Sequence, residues 1–292
     1  MADWENFNYT STDGLRLAGR KYGWENRDAK AVVCLPGLSR NSADFHQLAM
    51  HLANDAPVKR RVLCLDYRGR GNSQYDKNWE NYSILIEADD VVQGVTAAGL
   101  EHPAFVGTSR GGLILMILAA MKPTLLSAIV MNDVGPEIDG PGLVRIKKML
   151  ETSKNTVSNW QEARDNLQQM GKRSFPKFDD AEWDRQARLI YTEKDGKIVR
   201  NYDPKLTNTL KAIDLDVRLP ELWPQFTGLR NIPLMLIRGE LTDLLAEKTV
   251  AKMQVIHPDM AVINVPDQGH APDIGSAGLP EKISAFLEKN DH

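Results

Sequence analysis

The segment Phe105-Val106-Gly107-Thr108-Ser109-Arg110-Gly111-Gly112 constrains this chain more than any other. A short apolar run enters it, and Leu113-Ile114-Leu115-Met116-Ile117-Leu118-Ala119-Ala120 leaves it. An apolar strand followed at once by an apolar helix is the setting in which Gly-x-Ser-x-Gly places a serine on a sharp turn. The serine backbone on such a turn is strained, so neighbouring positions must lack bulk, which Gly107 and Gly111 satisfy. The Ser109 hydroxyl then stands clear of the sheet at the positive end of a helix, where developing negative charge is stabilised.

The rest of the first half repeats that strand–helix rhythm, which predicts a mainly parallel sheet covered on both faces. Strands are expected over Leu15 to Tyr22, Ala31 to Leu35, Arg61 to Leu65 and Ser127 to Met131. Helices are expected over about Ala43 to Asn54 and Ser83 to Ala98; the first buries Phe45, Leu48 and Leu52 at helical spacing. From about Pro136 to Leu219 buried strands give way to helical segments, Leu143 to Glu151, Val157 to Met170 and Asp180 to Tyr191. Trp160, Phe175, Phe178 and Trp183 fall in or near them and read first as core, with substrate contact as the alternative. The block reads as a helical cap at 136–219, inserted in a core formed by 1–135 and 220–292. The rhythm then resumes with strands Pro233 to Ile237 and Ala261 to Val265, and helices Glu247 to Val255 and Pro280 to Lys289.

Composition narrows the function classes. A formal net charge of −3 gives no electrostatic case for nucleic acid or an anionic membrane. No apolar run approaches the roughly 20 residues of a membrane span. The acidic start Met1-Ala2-Asp3-Trp4-Glu5-Asn6 lacks the apolar core of a signal peptide. Cys34 and Cys64 each sit in an apolar strand-like run and are expected to be reduced core residues. The expected compartment is the cytoplasm, with a small-molecule substrate as partner. No cluster of His, Cys, Asp or Glu has zinc spacing, so neither a metal nor another cofactor is implied.

A serine hydroxyl needs a base to take its proton at neutral pH. His270, in Asp267-Gln268-Gly269-His270, lies just past the last strand, on the sheet edge that holds Ser109. His46, His51, His102, His257 and His292 fall in helices, at element ends or at the terminus and read as structural or exposed. The base in turn needs a carboxylate to fix its tautomer. Asp243, four residues beyond Gly239, is the first choice, with Glu240 and Asp133 as alternatives; Asp243 could also cap the helix start at Leu244.

The order Ser109, Asp243, His270 resembles that of the α/β-hydrolases, specifically their cap-bearing serine hydrolases, a group of small esterases, lactonases and carbon–carbon bond hydrolases. The likeness spans almost the whole chain, through Gly107 to Gly112, Asp66-Tyr67-Arg68-Gly69-Arg70-Gly71-Asn72-Ser73 and Gly269-His270. It implies an α/β fold, a mostly parallel eight-stranded sheet with helices on both faces and an inserted helical cap. It also implies an oxyanion hole from the backbone N–H groups of Leu38 and Arg110. The His-Gly that commonly precedes such a hole is Pro36-Gly37 here, so a histidine is replaced by proline. The resemblance makes Asp66 to Ser73 a scaffold turn; its Gly-x-Gly lacks dinucleotide-site spacing. The activity implied is hydrolysis of a small carboxylic ester, lactone or thioester through an acyl-enzyme. Carbon–carbon hydrolysis or perhydrolysis with the same triad, and a non-catalytic small-molecule receptor, are the alternatives.

Overall fold

A computed structural model describes residues 3–213 and 220–291. Its strands are β1 (Glu5–Thr10), β2 (Arg16–Tyr22), β3 (Ala31–Leu35), β4 (Arg61–Asp66), β5 (Ala104–Thr108), β6 (Ile129–Asn132), β7 (Thr156–Val157), β8 (Tyr191–Lys194), β9 (Lys197–Arg200), β10 (Leu234–Gly239) and β11 (Ala261–Val265). The α-helices are α1 (His46–Met50), α2 (Ile84–Ala97), α3 (Arg110–Met121), α4 (Gly140–Thr152), α5 (Trp160–Gly171), α6 (Asp180–Ile190), α7 (Thr207–Lys211), α8 (Trp223–Thr227), α9 (Glu247–Ile256) and α10 (Leu279–Lys289).

Eight strands form one sheet in the order β1-β2-β4-β3-β5-β6-β10-β11. The pairs β1–β2 and β2–β4 are antiparallel, and every later pair is parallel. The central strands are mostly apolar, with polar residues mainly at their ends, because both of their faces are covered. Alternate residues serve opposite layers: Val33 and Leu35 join the core that includes α2 and α3, while Val32 and Cys34 join the core that includes α1 and α10. Cys34 and Cys64 are register partners on β3 and β4, buried, and free thiols as expected.

Two features depart from the sequence reading. The antiparallel edge strand β1 was not foreseen, because Glu5-Asn6-Phe7-Asn8-Tyr9 buries only Phe7 and Tyr9 and offers too short an apolar alternation. The insert between β6 and β10 is also not wholly helical, since β7, β9 and β8 form a small three-stranded sheet within it. The hairpin signal was present: Asp195-Gly196 supplies two residues of positive φ, 51° and 70°, which suit a two-residue turn. The apolar rhythm of α6 runs into Tyr191 without a break and masks it.

Packing around Ser109 explains the glycines. A Cβ on Gly111 would lie 2.2 Å from the Leu35 carbonyl oxygen, and one on Gly107 would lie 2.7 Å from the Gly111 backbone. Helix α3 therefore rests directly on β3 and β5, and its first turn meets the end of β5 at a fixed angle. No helix among the described residues is long and apolar enough to cross a membrane.

Candidate active site

Ser109 follows β5 directly, with φ 51° and ψ −110°, a conformation that non-glycine residues rarely adopt. Its own N–H donates to the Asn132 carbonyl at 2.9 Å, and its carbonyl accepts from Gly112 N–H at 2.9 Å, so the strained residue is held from both sides. Asn132, fully buried at the end of β6, donates to Thr108 Oγ1 at 3.2 Å and to the Pro272 carbonyl at 2.9 Å. One amide thus ties the serine strand, its neighbour and the His270 loop together.

His270 Nε2 lies 2.9 Å from Ser109 Oγ. Its Nδ1 lies 2.8 Å from Asp133 Oδ2, not from Asp243. With the ring proton on Nδ1, Nε2 is left to accept from the serine hydroxyl. Asp133 is completely buried and accepts further bonds from the Gly239 N–H at 3.0 Å and Thr242 Oγ1 at 2.6 Å. Those donors anchor the carboxylate at a strand end, in the geometry that fixes a base's tautomer.

The sequence choice of Asp243 is corrected by this arrangement. Asp133 comes immediately after β6, which neighbours the serine strand, and its φ of 57° turns the chain at that point. Asp243 lies four residues past the end of β10, beyond a turn that carries it away to α4. There it accepts from Arg145 Nε at 2.6 Å and Nη2 at 2.8 Å. Burial pushes the Asp243 carboxyl up, but the Arg145 hydrogen bonds and charge outweigh it and hold its pKa below the ordinary value. Glu240 turns instead to the Asp267 N–H at 3.1 Å.

The loop at Leu38, where an oxyanion-hole donor is expected, is tied down by a residue from the Asp66 to Ser73 turn. Arg70 Nε donates to the Leu38 carbonyl at 2.9 Å, while its Nη1 donates to Arg68 O at 2.6 Å and Glu87 Oε1 at 2.8 Å. Glu87 also takes Arg110 Nε at 2.5 Å, so one buried carboxylate on α2 joins the loop at Leu38 to the helix that begins at Arg110. A buried arginine thus orders the loop that has Pro36 in place of the usual histidine. Asp66 accepts from Ser42 N–H at 2.7 Å and Asn72 N–H at 3.0 Å, in keeping with a scaffold turn.

Above Ser109 and His270 lies a cavity of about 230 Å³ whose walls come from core and insert together. Leu38 and Thr108 line its floor; Met149, Met170, Phe175 and Trp183 face it from the insert. Trp183 also belongs to the insert's own core, so this ring both packs the insert and faces the cavity. Arg40, Arg145 and Arg200 line the cavity as well, and sequence reasoning singled out none of them.

The sequence model for the alpha/beta hydrolase fold matches residues 30–272. The chain belongs to the alpha/beta hydrolase family. It is 29% identical over 269 residues to 3-hydroxybutyrate-oligomer hydrolase of Cupriavidus necator, covering 88% of this chain and 87% of that protein. It is 25% identical over 246 residues to 2-(acetamidomethylene)succinate hydrolase of Mesorhizobium japonicum, covering 84% and 83% of the two chains. Among solved structures it resembles an alpha/beta hydrolase from Novosphingobium aromaticivorans, at 36% identity, a TM-score of 0.88 and 99% coverage of both chains. These hydrolase relatives and the shared fold support a hydrolase of a small-molecule substrate.

Proposed function

We propose that this alpha/beta hydrolase is a serine hydrolase that cleaves a small carboxylic ester, lactone or thioester through an acyl-enzyme. The observation that carries the reading is the unbroken chain from Ser109 Oγ through His270 to Asp133, whose first two members line a cavity between core and insert. In this mechanism His270 Nε2 takes the Ser109 proton as Oγ attacks the substrate carbonyl carbon. The buried Asp133 carboxylate orients the imidazole and stabilises the imidazolium that forms. The carbonyl oxygen, now negative, is received by the backbone N–H groups of Leu38 and Arg110. The Arg110 N–H stands at the very start of α3, where no preceding helical carbonyl takes it, which leaves it free for that task. His270 then protonates the leaving alcohol or thiol, takes a proton from water as it attacks the acyl carbon, and returns it to Ser109 on release of the acid.

The described part of residues 136–219 acts as a cap in this reading, enclosing the substrate between insert and sheet, and the expected boundary at Leu219 lies outside the described residues. The ester class is supported by the likeness to a protein named for hydrolysing 3-hydroxybutyrate oligomers, whose units are joined by ester bonds. A fluorophosphonate probe should label the wild-type protein and fail to label Ser109→Ala. A panel of p-nitrophenyl esters, lactones and thioesters should show turnover that the same substitution abolishes. Labelling that persists in Ser109→Ala would overturn the assignment.

A further inference from the structure

Three arginines line the cavity above Ser109, and two of them already have acidic partners. Arg40 donates to Asp44 Oδ2 at 2.7 Å and Oδ1 at 2.8 Å, and Arg145 is paired with Asp243. Arg200 differs. It is 6% exposed, and among the described residues no carboxylate forms an ion pair with it. Its Nε and Nη2 are buried without any hydrogen-bond partner.

Two hydroxyls share that condition. Tyr191 is the cross-strand partner of Arg200 in the β8–β9 hairpin, so both side chains leave the same face of the small sheet. The guanidinium lies over the Tyr191 ring, 4.4 Å from its centroid. Tyr202 stands two residues farther along the chain, and the hydroxyls of both tyrosines are buried and unpartnered. Burial raises both phenols above their ordinary pKa despite the opposing charge of Arg200, so both keep the proton a donor needs. A permanently charged guanidinium and two neutral hydroxyls are therefore grouped where water is largely excluded. Buried donors of this kind are ordinarily satisfied, and a buried charge ordinarily has a counter-ion.

We infer that Arg200 is a specificity-determining residue that receives a free carboxylate of the substrate, so that the preferred ester is an anionic one. The inference rests on the ester-hydrolase reading and deepens it, because Ser109 and Arg200 line one cavity. The guanidinium fork matches the two oxygens of a carboxylate, and a desolvated pair of this sort discriminates strongly against a neutral analogue. An ester whose acyl or alcohol part ends in a carboxylate, such as a linear oligomer of a hydroxy acid, has this chemistry.

The test separates charge recognition from catalysis. Two substrate pairs are compared by kcat/KM: mono-p-nitrophenyl glutarate against p-nitrophenyl valerate, and the 3-hydroxybutyrate dimer against its methyl ester. The wild-type protein should favour the anion in at least one pair by about 10- to 100-fold, the range expected of a charged hydrogen bond. Arg200→Gln should collapse that ratio toward one, and Arg200→Lys should restore part of it. Independently of turnover, Ser109→Ala should bind 3-hydroxybutyrate more tightly than methyl 3-hydroxybutyrate in calorimetry. That measurement stands even if Arg200→Gln does not fold or if Ser109 proves not to be the nucleophile. Equal affinity for acid and methyl ester, no anion preference in either pair, or an unchanged ratio in Arg200→Gln would each overturn the inference.

Discussion

The carboxylate partner of His270 is decided by a few residues of loop. Asp133 and Asp243 both follow strands of the same sheet edge, but only Asp133 leaves its strand without an intervening turn. Asp133→Asn is expected to lower kcat by about 10⁴ while leaving the fold intact, by analogy with the loss of the orienting acid in other triads. Asp243→Asn breaks a half-exposed bridge to Arg145 and should cost far less; steady-state kinetics of the two variants side by side checks the contrast. The Ser109 and His270 of the proposed triad were legible in the sequence because each is marked locally, one by flanking glycines between strand and helix, the other by its place after the last strand. The acid was not, because nothing in Asp133 or Asp243 alone records how far a turn carries a side chain from the sheet. Arg200 was hidden for a similar reason: its neighbour Tyr191 lies across a hairpin the sequence reading did not find.

Among elements, helix α2 has a task that its amphipathic pattern does not announce. Its Glu87 is fully buried between Arg70 and Arg110, so it holds together the loop at Leu38 and the first turn of α3. Glu87→Ala should destabilise the protein by about 3–5 kcal/mol, because the buried Arg70 guanidinium loses its counter-charge; chemical denaturation measures it. The hairpin turn between β1 and β2 is tied in by charge too. Arg68 bonds to Asp13 and Asp90, and the Arg68 and Ser11 hydrogen bonds hold the Asp13 carboxyl down at about 2. A depressed carboxylate pKa contributes stability above its unfolded value near 4, and that contribution is lost as pH falls toward 2. Asp13→Asn should therefore flatten that part of a plot of Tm against pH, and only modestly, since Asp13 is half exposed. Parallel strands and long helices were legible because apolar period alone specifies them. The edge strand and the insert's small sheet were not, because their strands are short and their pairing is recorded by turns rather than by period.

Over the whole molecule, the insert is fastened to the core close to the His270 loop. Arg185 of α6 pairs with Asp273, three residues after His270, and Asn41 Nδ2 donates to the Leu189 carbonyl at 2.9 Å. Tyr82 of the core donates to Asp203 of the insert at 2.5 Å. Asp273→Asn should loosen this attachment, and hydrogen exchange in α6 should quicken by about tenfold while β5 and β6 stay protected. Exchange unchanged in α6 would mean that the other contacts suffice. The order of the site along the chain has a consequence of a different kind. Ser109 and Asp133 are separated by one helix and one strand, but His270 arrives 137 residues after Asp133, beyond the insert and past the edge strand β11. During synthesis the chain is made from its amino end, so the serine and its acid emerge long before their base. A growing chain with this proposed triad carries an unarmed serine on the ribosome, and hydrolysis begins only once the last strand has docked.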